Sequence, residues 1–590
     1  MPPKKAASKK AAPASTSTKP SRTPKAKVAE PAAAAKPAAK KRKATSDVAA
    51  EGRPKAKKSK VETSEAPIER KIAPLKKTAT TVAPKKATAT KNKTKVNAPK
   101  KTPAPKKTPA PKKTPTPKKA PAKKALPQIN SRPTQKLDIY VFGEGTAGEL
   151  GLGGVKYDGK KPIDVVRPRI NHNLSAKDVG VVQMAVGGMH CAALTHDNKI
   201  LTWGVNDTGA LGRRTGAGKV KEIGQKDNSD SDDSDSDDDD EFLNPTESEP
   251  REVSPKYFPD GTQFAFLSAS DSATFAVTTD GFVYGWGGFR GNEGPLGFRP
   301  KKVRSELEDE EYEGEDAESR KERLTREPFQ RSPILIPELK KIVALTCGTN
   351  HVLALDDKGK VFVWGAGEQN QLARRVVART AEGALIPREF GLQRKKISKI
   401  GSGDYHSFAV DKDGKVYAWG LNTFSQTGIP TSENKDDTIL VPTLVKNLSA
   451  YAIKEVDGGA HHTISCTESG QVLVWGRIDN DQGGMEVDKF AESDVYIDDQ
   501  QRRRYLKNPV VLPADINGET VSAFPDGCLV VTKEGQAYSW GFSGNYQTGL
   551  GTMEDVEEAT LVENSAIRGK KLVYAGAGGQ FGILAGIHED

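Results

Sequence analysis

The sequence has only four cysteines in 590 residues, Cys191, Cys347, Cys466 and Cys528, and they stand too far apart to frame a disulfide scaffold or a metal site. They read as reduced thiols. No apolar run approaches the length of a membrane span and no hydrophobic segment follows the N-terminus, so a soluble chain without a membrane partner is expected. There is no phosphate-binding glycine loop and no grouping of nucleophile, base and orienting residue. Covalent catalysis, a cofactor and a bound metal are therefore not expected. Aromatic residues make up only 6% of the chain, which makes the placement of the tryptophans informative.

All six tryptophans, Trp203, Trp286, Trp364, Trp419, Trp475 and Trp540, are followed by glycine, and Phe142-Gly143 is a seventh copy of the same phrase. The fullest copy runs from Ile397 to Gly428. In it an alternating strand, His406 to Val410, meets a turn at Asp413-Gly414, and Lys415 to Trp419 returns as a second strand. A turn glycine between alternating apolar residues signals a hairpin. The signal recurs at Asp280-Gly281, Lys358-Gly359, Ser469-Gly470 and Glu534-Gly535. Successive marks lie 61, 83, 78, 55, 56 and 65 residues apart and carry no helical period. Units of this kind cannot bury a core alone and must stack on their neighbours, and four short strands per unit arranged radially make a propeller. The first copy, Leu137 to Gly153, holds only the end of the phrase, and the last, Leu572 to Gly586, only its beginning. The predicted fold is all-β: a seven-bladed β-propeller over residues 137–590, closed by N- and C-terminal strands that share one blade and so remove exposed sheet edges.

Charge divides the chain sharply. Residues 1–136 carry 39 lysines and arginines against 6 acidic residues, a net of +33, so with +13 overall the remainder carries −20. This segment of lysine, alanine, proline and threonine cannot bury enough apolar surface to order itself and reads as a disordered tail. Its KKTPAP repeats, at Lys101, Lys107 and Lys113, hold lysines on an extended chain. Such an arm suits DNA phosphates, because each neutralised phosphate releases a counterion. Two denser clusters, Lys40-Lys41-Arg42-Lys43 and the run with Lys55, Lys57, Lys58 and Lys60, have the spacing of a bipartite signal for a nuclear-import receptor. The start, Met1-Pro2-Pro3-Lys4, resembles an N-terminal methylation site. Three stretches read as disordered insertions in the propeller: 218–255, with the acidic run Asp227 to Glu241; 300–330, with the mixed-charge segment Ser305 to Glu327; and 485–507.

The units share a phrase, seen in GGMHCAAL from Gly187 and LTWGVNDTGALG from Leu201, that resembles the repeat of the regulator of chromosome condensation family over residues 137–586. After Trp286 the turn is lengthened to Gly287-Gly288-Phe289-Arg290-Gly291-Asn292-Glu293-Gly294-Pro295-Leu296-Gly297. With the basic tail, this resembles the branch of the family that exchanges nucleotide on the small GTPase Ran. The resemblance implies a monomer in the nucleus, bound to chromatin through DNA phosphates and histones, that supports nucleocytoplasmic transport and spindle and nuclear assembly. It implies a wedge, Phe289 to Leu296, that displaces a switch of the GTPase, with Arg290 giving a charged hydrogen bond. It further implies that Asp271, Asp404 and His461 lie on the GTPase-binding face. Thr146 and Asn350 stand where that branch has aspartate, and Phe581 where it has histidine. The recurring His190, His351, His406 and His462 read as architecture that satisfies groups between blades. The alternative reading is a chromatin adaptor that holds histones or other nuclear proteins without exchanging nucleotide.

Overall fold

Each Trp-Gly phrase forms the centre of an antiparallel sheet, and seven such sheets follow one another in the computed structural model. The structure describes residues 128–216, 243–300, 328–392, 394–430, 437–513 and 515–589. The two basic clusters, the acidic run and the segment Ser305 to Glu327 lie outside the described residues. Blade 5 shows the plan: Ile397–Ser402, His406–Asp411, Val416–Leu421 and Thr438–Leu444 pair in that order from the axis outward. Gly414, at φ +79°, makes the hairpin turn between the second and third strands, a conformation that costs glycine nothing. Closure is as predicted. Leu572–Ala577 pairs with Phe581–Ile587 at the C-terminal end, Phe581–Ile587 pairs with Leu137–Gly143, and Leu137–Gly143 pairs in turn with Val165–Ile170. Blade 1 is therefore composite.

Three expectations are corrected. In the stretch 218–255, read as a disordered insertion, the described residues form a helical turn, Pro245–Ser248, and a strand, Arg251–Glu252, that pairs with Ile200–Gly204 as the outer strand of blade 2. Residues 128–136, placed with the tail on composition, lie against the propeller. Ile129 N–H donates to Thr279 O at 2.8 Å, and Asn130 Nδ2 donates to Thr278 O at 3.1 Å and Ile342 O at 2.8 Å. The stretch 485–507, read as disordered, contains a short 3₁₀ turn at Val487–Lys489 and the strand Val495–Ile497. That strand pairs with Arg503–Val511 and gives blade 6 five strands, because Phe490, Val495 and Leu506 bury themselves against its core.

The second strand of each blade differs from simple alternation in a telling way. His406–Asp411, HSFAVD, is buried at every position. Both of its faces meet protein, so one side carries His, Phe and Val and the other Ser, Ala and Asp. The blades are joined by one repeated polar contact. Trp475 Nε1 and Thr463 Oγ1 of blade 6 both donate to Gln426 O of blade 5, each at 2.8 Å, while His406 Nε2 stands 2.7 Å from the same Thr463 hydroxyl. The hydroxyl proton is spent on the carbonyl, so the histidine donates through Nε2. His190, Thr274, Ala210 and Trp286 repeat the clasp between blades 2 and 3, and His351, Ser407, Gln371 and Trp419 between blades 4 and 5. His462 instead meets Gly527 O at 3.1 Å and Cys528 Sγ at 3.3 Å. The histidines are thus architectural, with hydroxyls rather than backbone groups as their usual partners.

Burial depresses all four rings: His190 and His462 to about 4, His351 to about 3, and His406 well below the ordinary histidine value. The unfolded chain therefore takes up protons below about pH 6.5, where the folded chain does not, and stability is lost as pH falls from there. Asp404 and Asp457, both raised to about 7 by burial, act in the opposite sense over pH 4–7, since their folded forms hold protons that the unfolded chain releases. His406→Gln keeps a donor toward Thr463 without a titrating ring. Its unfolding free energy, from urea titrations between pH 6 and 4.5, should fall less steeply on acidification than that of the parent, by about 1.4 kcal/mol per pH unit for one proton. Equal slopes would show that His406 is protonated in the folded chain.

Candidate functional site

In each blade the loop between the first two strands and the loop after Trp-Gly lie at the same end, because the strands alternate in direction. This end forms one face of the ring, and the glycine hairpins form the other. In blade 3 the loop after Trp286-Gly287 becomes a separate hairpin, Phe289–Gly291 with Gly294–Gly297, which among the described residues pairs with no other strand. Arg290 stands opposite Pro295 and Gly291 opposite Gly294, so Asn292 and Glu293 form the tip. Asn292, Glu293 and Pro295 are exposed, and Gly291, Gly294 and Leu296 are half-buried. Phe289 is not: it is 0% exposed, with its ring stacked on Phe298 at 5.9 Å and 6.5 Å from Phe275. Phe275 also meets Trp364 edge-on at 5.8 Å. The reading of Phe289 as part of the displacing surface is corrected, since it roots the hairpin in an aromatic core. Below it, Arg299 is fixed by Glu338 through two bonds of 3.0 and 2.8 Å.

A central channel of about 730 Å³ opens on the same face, and Arg290 of the hairpin shares a small pocket with Asp271 at the rim of its mouth. Around that mouth the loops of successive blades bond backbone to backbone. Asp271 N–H donates to Thr349 O at 3.2 Å, Thr349 N–H to Asp404 O at 3.3 Å, Asp404 N–H to Gly459 O at 3.2 Å and Ala460 N–H to Pro525 O at 3.0 Å. Asp271 and Asp404 thus lie on one ring, as read from sequence. Asp271 accepts from Ser272 Oγ at 2.7 Å, and burial raises its pKa against the opposing effects of Ser272 and Arg290. At Asp404 burial dominates, and the charges of Asp271 and Asp526 raise its pKa further. Asp207, beside Asp271, forms an ion pair with Arg290 at 2.5 Å.

His461 lies on the same face but in a different setting. Its ring is 5.1 Å from Phe424, over which Arg477 sits at 5.6 Å. Arg477 pairs with Asp479 at 2.5 Å, and Asp479 also holds Arg504 at 2.9 Å. Burial first, and then the Arg477 charge, lower the pKa of His461, which disfavours its cationic form. Among the described residues no cluster of histidine, cysteine or carboxylate side chains has the arrangement of a metal site.

A family model described as the RCC1-like domain matches residues 138–584. The chain belongs to the RCC1-like domain family. It is 37% identical over 464 residues to the guanine nucleotide exchange factor SRM1 of Saccharomyces cerevisiae, covering 77% of this chain and 88% of that one. It resembles the crystal structure of Prp20p from Saccharomyces cerevisiae, described with its binding to Gsp1p and histones, at a TM-score of 0.65 and 33% identity, covering 78% and 94% of the two chains. It also resembles yeast RCC1 (Prp20) in its complex with Kap60, at a TM-score of 0.66 and 32% identity, covering 81% and 97%.

Within the RCC1-like frame, the departures from the family pattern have individual outcomes. Thr146 donates to Glu144 Oε1 at 3.0 Å, so a carboxylate is present in this loop two residues before the place where aspartate was expected. Asn350 Oδ1 accepts from Arg290 N–H at 2.7 Å and so serves the hairpin directly. Phe581 is 0% exposed and belongs to the composite blade's core. Sequence reasoning missed Asp207, Glu368, Arg477 and Asp479. Asp207, Glu368 and Asp479 each follow the tryptophan of a Trp-Gly mark by four residues, a shared offset that was the available signal, and Arg477 follows Trp475 by two.

Proposed function

We propose that this chain is a guanine-nucleotide exchange factor for the nuclear small GTPase Ran, tethered to chromatin by its basic N-terminal segment. The observation that carries this reading is the hairpin Phe289 to Leu296, rooted at its base and exposed at its tip, standing beside a mouth lined by Asp271 and Asp404. The family membership and the exchange activity named for the yeast relative support it. A GTPase holds its nucleotide through Mg²⁺ and a loop of backbone N–H groups. A partner that binds the nucleotide-free form more tightly than the loaded form lowers nucleotide affinity by the same factor. No covalent step is needed. Arg290 to Leu296 would enter beside the nucleotide site, Phe289 would transmit no contact of its own but keep the hairpin upright, and the acidic mouth with His461 would receive basic and polar groups of the GTPase.

The opposite face offers a place for the second task. Its hairpin turns expose lysines, among them Lys358, Lys412 and Lys533, interspersed with carboxylates such as Asp197, Asp413 and Glu534, and residues 128–132 run along it. Residues 128–132 lie on the side away from the hairpin. DNA phosphates and histones would be the chromatin partners, and the clusters Lys40 to Lys43 and Lys55 to Lys60 would carry the chain to the nucleus on an import receptor. Histone binding and a Kap60 complex are properties of the yeast protein that support this assignment.

Residues 128–590 should accelerate release of labelled GDP from purified Ran at low molar ratios, and Arg290→Ala should lower the rate by about tenfold or more, since bonds to charged groups contribute about 1.5–3 kcal/mol. An unaltered release rate would favour the adaptor reading. Deleting residues 1–127 should leave that rate intact while weakening binding to DNA and flattening its dependence on salt; an unchanged salt slope would remove the tail from the chromatin contact.

A further inference from the structure

The exchange hairpin stands apart from the sheets, yet side chains of both flanking blades hold it. From blade 2, Asp207 pairs with the Arg290 guanidinium at 2.5 Å. From blade 4, Asn350 Oδ1 accepts the Arg290 N–H at 2.7 Å, and Glu368 Oε1 accepts the Asn292 N–H at 3.3 Å. A side chain at Gly291 would collide with that same Glu368 oxygen, so glycine lets the carboxylate reach the tip. These holders are themselves fixed. Asn350 O accepts from Ala366 N–H at 2.7 Å, which ties the Asn350 loop to the loop that carries Glu368. That second loop is closed by Asn370 N–H to Gly367 O at 3.2 Å and Gln369 N–H to Gln371 Oε1 at 2.9 Å. On the other side Gly209 N–H bonds to Asn206 O at 3.0 Å, and Asn206 Nδ2 to Arg213 O at 2.9 Å, making a tight loop around Asp207.

The need for such holders follows from the blade junction. Elsewhere the loop after Trp-Gly supplies the carbonyl that receives the next blade's tryptophan, as Gln371 and Gln426 do. In blade 3 that loop is the hairpin, and Ala273 occupies the histidine position. Trp364 packs into the Phe275, Phe289 and Phe298 cluster. The aromatic cluster fixes the root of the hairpin, but apolar packing is non-directional and leaves the aim of the tip to be set by directed bonds.

We propose that Asn350 and Glu368, with Asp207, are positioning residues for nucleotide exchange that hold the hairpin in the pose in which it enters the GTPase. The proposal rests on the exchange reading above. An unheld two-stranded hairpin is marginally ordered in water, and a binding-competent pose populated only in part reduces the effective action of the hairpin by that fraction. Asn350 acts through its acceptor oxygen, so aspartate at this position would do the same work; the departure from the family's aspartate leaves the strap intact.

The test uses the full chain with two readouts. Amide hydrogen exchange, measured without GTPase, reports the straps. Asn350→Ala should speed exchange at Arg290, and Glu368→Ala at Asn292, each by about fivefold for one lost hydrogen bond. GDP release from Ran reports the consequence. Each variant should lower the maximal rate by about fivefold with little change in the concentration of chain that gives half of it, the signature of an interaction used after initial docking. Asn350→Asp and Glu368→Gln, which retain acceptor oxygens, should restore both readouts. The proposal is overturned by unchanged amide exchange in the alanine variants, by faster amide exchange with an unchanged maximal rate, or by failure of Asn350→Asp to rescue. The last outcome would mean that Asn350 meets the GTPase through its Nδ2 donor. A parent chain that does not release GDP would defeat the functional reading itself, and the amide readout would still show separately whether the straps exist.

Discussion

A single backbone carbonyl, shared between two donors of the next blade, is the contact on which the ring depends. Gln426 O receives Trp475 Nε1 and Thr463 Oγ1, and Thr463 in turn receives His406. A carbonyl oxygen has two lone pairs and can satisfy both donors, so the indole N–H, the hydroxyl and the imidazole Nε2 leave the junction paired. The arrangement sets the distance and the angle between blades, and loops at the mouth inherit their positions from it. The complete contact joins blades 2 to 3, 4 to 5 and 5 to 6; at the junction of blades 3 and 4 an aromatic cluster replaces it and the loop after Trp286-Gly287 becomes the hairpin.

Much of this was legible in the sequence, for physical reasons that differ from element to element. The Trp-Gly marks had to be visible, because an indole at the shared junction needs an acceptor from the preceding blade and each following glycine a backbone that few other residues adopt; Gly420 has φ +104° and Gly476 φ +93°. The composite blade could be read because its two halves carry complementary parts of one phrase. Asp271 and Asp404 were read from the family resemblance, and the structure shows only that both line the channel mouth. What was not legible depended on contacts across blades. Nothing local to Phe289 tells that its ring stacks on Phe298, and nothing local to Glu368 tells that it reaches an amide 76 residues away. Residues 485–507 misled through their charge: Arg502, Arg503 and Arg504 surround the few apolar residues that join the core, and Arg503 spends its guanidinium on Phe490 O at 2.8 Å rather than on solvent alone.

Carboxylates collect around the mouth, where the charge of Asp207 makes Asp271 costlier to ionise and that of Asp271 does the same to Asp404, and a basic partner surface would relieve that cost. The hairpin turns of the other face carry charges of both signs, with Lys199 paired to Asp197 and Lys415 to Asp413. A GTPase and a chromatin surface can be engaged at once only if they do not compete for one face. On the proposed reading the ring would keep them apart, and the hairpin is held in place by Asp207, Asn350 and Glu368.

The central claim is that this propeller acts by preferring the GTPase without its nucleotide. The measurement that tests it most directly is the dissociation constant of residues 128–590 for nucleotide-free Ran and for Ran loaded with GDP and Mg²⁺, under the same salt. The account predicts binding tighter by at least about a hundredfold, about 2.7 kcal/mol, for the empty form. Equal affinity for the two forms would contradict it, because a partner that does not discriminate between them cannot shift nucleotide release by thermodynamic coupling.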